Sequence, residues 1–435
     1  SKCDAQSLKW SGRCNECQSW GTITKQEEEQ GSSFGSMKKS KAAASTPLSK
    51  LSNQNEHERY QTKNPEVDRV LGGGLVKGSL ILLSGEPGIG KSTLIASMAS
   101  DYSSSKNTVL YISGEESASQ LKTRFSRLQA KTENVNFLEM VSLEQIIATI
   151  EKESPTVVII DSIQTVHSKS VESNQGSPTT VRYAASVFME LAKRTGISIV
   201  LIGQVTKDGS VAGPKTLEHM VDVVVSLEGD ASHSYRILEA KKNRFGATDE
   251  IGVLEMTNAG LIPVENPSAK FLEERAPVPG SVVATVREGS RVFLVEVQAL
   301  VEKAFYGTPV RRANGIDQSR LQMLVAVLSK RAGLKLGESD VFINVVGGMK
   351  LKEPAADLAV CAAIVSAVKN TSSANPIVYI GEVGLGGEVR SVPMIEKRLT
   401  EISRVGIEHV VIPNKKTTSK NSVEAKKISN VKELI

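Results

Sequence analysis

The sequence predicts an α/β protein. A phosphate-loop core on a mainly parallel sheet is followed by a second α/β module and preceded by a small cysteine module. Three observations predict this. The stretch Gly85-Glu86-Pro87-Gly88-Ile89-Gly90-Lys91-Ser92 lies between a short apolar run, Ser79 to Ser84, and a run with helical spacing, Thr93 to Ser100. From Tyr60 to Val264, β-branched runs alternate with amphipathic stretches, the pattern of parallel strands joined by crossover helices. After Pro277-Val-Pro279-Gly280 a second alternation of strands and helices runs to the C-terminus.

The chain has 435 residues, room for two or three domains. Its hydrophobic share of 40% suits ordinary cores. No run approaches the ~18 apolar residues of a membrane span, so no membrane partner is expected. No signal peptide is visible, which points to a cytoplasmic protein. The chain begins Ser1-Lys2-Cys3 without Met, as if processed or cut from a longer one. Net charge is +5, from 53 basic and 48 acidic residues, so nucleic-acid binding would have to come from local patches. Aromatic residues make up 4%, which disfavours a stacking platform for single strands.

The four cysteines are Cys3, Cys14, Cys17 and Cys361. Cys14-x-x-Cys17 is one half of a zinc site, and Cys3, separated from it by ten residues, lacks its own pair. The register puts the missing cysteine just before Ser1. Completed, the four thiolates would make a tetrahedral structural Zn²⁺ site. Residues 1–24 therefore read as an incomplete zinc ribbon, and the Ser-, Lys-, Glu- and Gln-rich residues 25–57 as a linker. Cys361 lies in an apolar helical run and reads as a buried structural thiol.

Residues 58–267 carry the chemistry. In the Gly85–Ser92 loop, the glycines let backbone N–H groups converge on an anion, and the start of the following helix adds its positive end. Lys91 would reach the β- and γ-phosphates of ATP or ADP, Ser92 would ligate Mg²⁺, and Thr93 would complete the cradle. Strands are expected at Thr108–Ser113, Val135–Met140, Thr156–Asp161, Ile197–Gly203, Val221–Leu227 and Ser234–Ala240. Helices are expected at Pro65–Leu71, Ser117–Leu128, Leu143–Glu153 and Thr179–Arg194. Asp161 ends the apolar strand Val157-Val-Ile-Ile and would hold Mg²⁺ through water. Glu115, at the end of Tyr111-Ile-Ser-Gly, could polarise the attacking water, and Glu116 could instead favour the next helix start. Gln204 is placed to sense the γ-phosphate. The segment 205–215, with Lys207 and Lys215, and the segment Ser168–Pro178 are long and polar, suited to a nucleic-acid strand. Lys242 and Arg244, in Lys241-Lys-Asn-Arg-Phe-Gly246, could reach a neighbouring subunit's nucleotide.

Taken together, Cys14-x-x-Cys17, Leu71-Gly-Gly-Gly-Leu75, the phosphate loop, Ser113-Gly-Glu-Glu-Ser117 and Lys242-Asn-Arg-Phe-Gly246 resemble the RadA/Sms family of bacterial recombination ATPases. The resemblance covers nearly the whole chain. It implies a RecA-like ATPase core, a homo-hexameric ring, and a motor on single-stranded and branched DNA that drives branch migration beside a RecA-type recombinase. In that family Lys242 and Arg244 correspond to residues needed for nucleotide-dependent work on DNA. Glu115 and Gln204 match the water-activating and switch positions. The departure is the absent first zinc cysteine.

Residues 268–435 resemble the Lon protease domain, including Gly381-Glu-Val-Gly-Leu-Gly-Gly-Glu-Val-Arg-Ser-Val-Pro393. A working Lon site needs a serine activated by a lysine. Where the serine belongs, this chain reads Glu353-Pro-Ala-Ala-Asp357-Leu-Ala359, and Lys397 lies near the expected lysine. The module therefore reads as a pseudo-protease, a DNA-contacting platform with Arg311, Arg312, Lys350 and Lys352 in loops gripping phosphates. Two alternatives remain. A KaiC-like signalling ATPase shares Gly-Gly-Gly-Leu and Gly-Glu-Glu-Ser, but the cysteine module and Lys-Asn-Arg-Phe-Gly oppose it. A Lon-like ATP-dependent peptidase is opposed by the missing serine.

Overall fold

The structure is a computed structural model. It describes Trp20 and residues 58–435, apart from 104–105, 172, 205–216, 230–233, 305–307 and 416–422. The zinc candidates Cys3, Cys14 and Cys17, the linker, and the DNA candidates Lys207 and Lys215 lie outside the described residues.

A short antiparallel pair, β1 (Arg59–Tyr60) and β2 (Leu75–Val76), frames α1 (Pro65–Val70). Asn64 starts α1 by accepting the N–H groups of Glu66 and Val67, with Pro65 at the first helical position. Then follow β3 (Leu80–Gly85), α2 (Lys91–Tyr102), β4 (Val109–Ser113), α3 (Ala118–Arg127), β5 (Val135–Glu139), α4 (Leu143–Glu153) and β6 (Val157–Asp161). The first unit ends with α5 (Pro178–Thr195), β7 (Ser198–Gln204), β8 (Val223–Glu228), β9 (Tyr235–Asn243), β10 (Ile251–Thr257) and β11 (Gly260–Pro263). Capping boxes at Ser117/Gln120 and Ser142/Gln145 fix where α3 and α4 begin.

These strands form a nine-stranded sheet in the order β11-β10-β9-β8-β3-β7-β6-β4-β5. From β8 to β5 every pairing is parallel, and β9, β10 and β11 add antiparallel. The central strands are apolar on both faces because helices cover both, giving two cores. The β10–β11 hairpin is not anticipated by the sequence reading. Its outer half, Glu255 to Thr257, is only partly buried, so the run lacks a continuous apolar signature.

The second sheet is built from β12 (Ser281–Glu288), β13 (Arg291–Lys303), β14 (Arg311–Asn314), β15 (Ser339–Val345), β16 (Ile377–Tyr379), β19 (His409–Pro413) and β20 (Glu424–Ile428). Its order is β14-β15-β13-β12-β16-β19-β20. Packed with it are α6 (Pro267–Leu272), α7 (Gln318–Arg331), α8 (Asp357–Lys369) and α9 (Ile395–Val405), while β17 (Glu382–Val383) and β18 (Val389–Arg390) make a separate pair. One detail differs from the sequence reading. Arg311 and Arg312 lie on edge strand β14 and not in a loop, because β14 pairs with β15 in parallel. Strand β15 stops at Val345, where Gly347, at φ 82°, turns the chain. Helix α8 starts at Asp357 after a separate tight turn over Pro354–Ala356.

The two sheets meet in one continuous apolar cluster that runs from Ile251 and Val253 through Phe271 to Val282, Phe293 and Val295. At this joint Arg291 pairs with Glu66, a buried carboxylate that also accepts the Val253 N–H (2.9 Å) and pairs with Arg69.

Candidate active site

Open parallel sheets place ligands beyond the carboxyl ends of their strands. Here Gly85 ends β3, Gln204 ends β7 and Asp161 ends β6. The register aligns Gly85 with Gln204, and Ser113 with Asp161. The loop after β3 is tied down from both sides. Ile89 is buried, and its carbonyl accepts a hydrogen bond from Arg236 of β9 at 3.0 Å. Gly90 caps α2 at φ 115°, and a Cβ there would lie 2.5 Å from the Met256 methyl, so the loop needs glycine.

Lys91 begins α2 and is buried, with its Nζ donating to the carbonyls of Gly85 and Glu86, both at 2.9 Å. Burial pulls its pKa down, partly offset by the charges of Glu115 and Asp161. Both carbonyls belong to the loop, so the ammonium already stands where a bound polyphosphate would need it. The residues fit a nucleotide: a glycine-capped helix start, a buried ammonium, and a carboxylate joined to a hydroxyl. That last pair is Asp161 and Ser92. Asp161 accepts hydrogen bonds from Ser92 and from the Tyr111 hydroxyl, the latter at 3.0 Å. Burial, with the nearby charges of Glu115 and Glu116, pushes Asp161 up to about 6. Ser92 and Asp161 are the groups that would hold Mg²⁺, whose charge would favour the ionised carboxylate.

Glu115 and Gln204 come together although their strands are not neighbours: Gln204 Nε2 donates to Glu115 Oε1 at 2.9 Å. Glu116 is otherwise engaged. Its carboxylate takes two hydrogen bonds from Arg124 of α3, and a third guanidinium N–H reaches Thr93 Oγ1 at 3.1 Å. The two adjacent glutamates are thus separated in role. Glu115 is exposed and held by one amide, whereas Glu116 is locked to a guanidinium.

The Lys-Asn-Arg-Phe-Gly motif divides the same way. Asn243 Nδ2 donates to the Val70 carbonyl (3.4 Å), and a Cβ on Gly72 would lie 3.3 Å from the Gly246 Cα, so Asn243 and Gly246 seat the motif against Leu71-Gly-Gly-Gly. Lys242 Nζ donates to the carbonyls of Glu218 (2.7 Å) and Val221 (2.8 Å). Arg244 pairs with Asp222 at 3.1 Å, with half of its side chain exposed. Among the other DNA candidates, Arg311 donates to the carbonyls of Leu336 and Pro309, Lys352 pairs with Glu288 at 3.3 Å, and Arg312 and Lys350 are exposed.

Arg124, Tyr111 and Asp222 were missed by the sequence reading. Tyr111 was detectable as the one aromatic in the strand Val109–Ser113. The partners of Arg124 and Asp222 depend on which elements the fold brings together, which no local pattern encodes.

In the second module, the segment expected to carry a serine holds ion pairs. Arg398, fully buried, donates twice to Glu353 (2.8 and 2.7 Å) and once to Thr285 Oγ1 (2.9 Å). Asp357 accepts a two-pronged contact from Arg320 and the Val383 N–H. Lys397 is exposed on α9 and lines a cavity of about 460 Å³ at the joint. Among the described residues, no group of three or more His, Cys, Asp and Glu could hold a metal ion by themselves.

Residues 45–210 match the family described as an AAA domain, and residues 312–416 the family described as subunit ChlI of Mg-chelatase. Among solved structures, the KaiC-like protein PH0186 of Pyrococcus horikoshii OT3 is similar in part. It is 16% identical, with a TM-score of 0.40, over 48% of this chain and 99% of that one. That likeness is not close enough to bear on the fold or the activity. The full-length relatives are. DNA repair protein RadA of Halalkalibacterium halodurans is 44% identical over 441 residues, covering 100% of this chain and 96% of its own. RadA of Aquifex aeolicus is 44% identical over 100% and 97%, and RadA of Escherichia coli K12 is 42% identical over 100% and 95%. The chain belongs to the RadA family of DNA repair proteins, with a phosphate-loop ATPase core and a second α/β module.

Proposed function

We propose that this chain is an ATP-driven motor on DNA, working in recombinational repair as a homo-hexameric ring that binds single-stranded DNA and drives branch migration of recombination intermediates. The observation that carries the reading is the Gln204–Glu115 hydrogen bond beside the phosphate loop. It ties a carboxylate able to accept a proton from water to an amide at the end of β7. ATP, when bound, supplies the transferable phosphoryl group. Lys91 exchanges its two carbonyl partners for phosphate oxygens and fixes them in place. Ser92 and Asp161 would hold Mg²⁺, which would screen the phosphate charge. Glu115, held in register by Gln204, takes a proton from the attacking water. Gln204 then differs between the loaded and spent states, and that difference is passed to residues 205–216, where Lys207 and Lys215 would meet DNA phosphates.

Arg244 is half exposed and held by one carboxylate, which suits a cation that swings to a neighbour's nucleotide. Lys242, held by backbone carbonyls, would have to leave them to act with it. Arg312 and Lys350 would contact DNA from the second module, and Cys3, Cys14 and Cys17 would belong to a zinc ribbon completed upstream. We place residues 58–267 as the motor and 268–435 as a non-proteolytic second tier.

The test is ATP turnover by the full chain with and without single-stranded DNA, alongside solution mass with nucleotide. The reading expects stimulation by DNA and a six-subunit mass. Arg244→Ala should keep the fold and lose branch migration. DNA-independent turnover by a monomer would overturn the motor.

A further inference from the structure

We infer that Arg124 is a positioning residue for ATP hydrolysis, whose guanidinium clamps the turn carrying Glu115 to the helix start carrying Ser92 and Thr93. This rests on the reading of Glu115 as the group that acts on water, and it adds what keeps that carboxylate in place relative to the phosphates.

Connectivity is the first ground. Glu116 directly follows Glu115, and the N–H groups of Glu115 and Glu116 donate to Ser113 Oγ at 3.3 and 2.9 Å. The turn at the end of β4 is therefore knit from Ser113 to Glu116, and whatever holds Glu116 limits where Glu115 can go. What holds it is Arg124 of α3, through Nε and one terminal nitrogen. The other terminal nitrogen donates to Thr93 Oγ1 at 3.1 Å, in the first turn of α2 and directly after Ser92. A planar guanidinium presents its donors in a fixed fork, so the contacts set one spacing between the two elements. A guanidinium also has no acceptor, so the Thr93 hydroxyl must send its own hydrogen elsewhere. Among the described residues no group accepts that hydrogen, which leaves it for an oxygen of a ligand on the phosphate loop.

Charge and burial are the second ground. Glu115, Glu116 and Asp161 lie close enough together that the two glutamates help to push the aspartate up. Without Arg124, these three carboxylates would face the single ammonium of Lys91 and repel a polyphosphate. The side chains of Arg124 and Glu116 are each only 21% exposed, so water screens this pair less than an ordinary surface ion pair. Helix α3 is already seated without the pair. Its Leu121 and Phe125 are buried in the core, and the Ser117/Gln120 capping box fixes its first turn. The guanidinium is left with the geometry of the site as its task.

The test measures kcat per folded molecule and KM for ATP with the full chain, in wild type, Arg124→Ala, Arg124→Lys, Glu116→Ala, the Arg124→Ala/Glu116→Ala double variant and Glu115→Gln. Misplacing a reacting group by about 1 Å costs on the order of 10²-fold in rate. Arg124→Ala should therefore lower kcat about 10–100-fold and change KM far less. Glu116→Ala opens the clamp from its other side and should lower kcat in the same way; it decides the matter if Arg124→Ala does not fold. The double variant should be no slower than the slower single one, because the two residues act as a unit. Arg124→Lys keeps the charge but loses the fork, and should stay slow. Wild-type kcat in Arg124→Ala and Glu116→Ala, with Glu115→Gln slow, overturns the clamp alone, as does full recovery by lysine or a loss confined to KM. Wild-type kcat in Glu115→Gln overturns the water-activating role and the clamp with it.

Discussion

The two sheets treat their charged side chains in opposite ways. At the strand ends of the nine-stranded sheet, charged and polar groups are positioned but not saturated. Lys91 rests on two loop carbonyls, Glu115 on one amide, and Asp161 on two hydroxyls. In the seven-stranded sheet the corresponding groups are used up. Arg398 is spent on Glu353 and Thr285, and Asp357 on Arg320 and a backbone N–H. A group that must exchange partners during a reaction needs neutral, replaceable partners. A group that holds a fold needs an opposite charge. The contrast separates a module built for chemistry from one built for shape within a single compact unit, His57–Ile435.

The largest expected effect is structural. Arg398→Ala leaves Glu353 without its buried partner, and breaking such a pair costs about 3–5 kcal/mol. Denaturant unfolding should show that loss, with ATP turnover per folded molecule unchanged. Turnover falling in step with stability would break the contrast by giving the second module a part in the chemistry. Lys91→Ala should do the reverse. Removing a preorganised charge from developing negative charge costs about 10²–10³ in rate, while its carbonyl bonds contribute only about 1 kcal/mol each to stability. Steady-state turnover and an unfolding curve on the same sample check both halves.

A smaller effect concerns pH. Asp161 is raised to about 6, chiefly by burial. A carboxyl raised in the folded state adds stability that is present below its unfolded value, near 3.8, and is lost as pH rises through about 6. Mg²⁺ needs the ionised form. Its affinity for the nucleotide-free protein should therefore be level above about 6 and fall roughly tenfold per unit below it. Calorimetric Mg²⁺ titrations across that window check this. An Asp161→Asn variant should bind weakly at every pH, and an unchanged slope in that variant would assign the titration elsewhere.

Much of this was legible in the sequence because it is local. The phosphate loop, the helical runs of α3 and α4, and the apolar strand ending in Asp161 are contiguous patterns whose physics acts within a few residues. Gln204 and Glu115 were legible one at a time. Their hydrogen bond was not, because it depends on the crossover order that puts β6 between β4 and β7. The same holds for Arg124, whose guanidinium gathers Glu116 and Thr93 from two different elements. The β10–β11 hairpin escaped notice because an edge hairpin needs little apolar pattern. In the second module the absence of a serine was plain from residues 353–359. The Arg398 pairing that fills the place was not, since it joins residues 45 apart.

The central claim is that Glu115 acts on water while Gln204 holds it in register. ATP turnover and ATP binding by Glu115→Gln, at saturating Mg²⁺ and neutral pH, test it most directly. The amide keeps the shape and the contact with Gln204 but cannot accept a proton. Binding at wild-type affinity with turnover reduced about 10²–10⁴-fold is the predicted result. Turnover at the wild-type rate would contradict it.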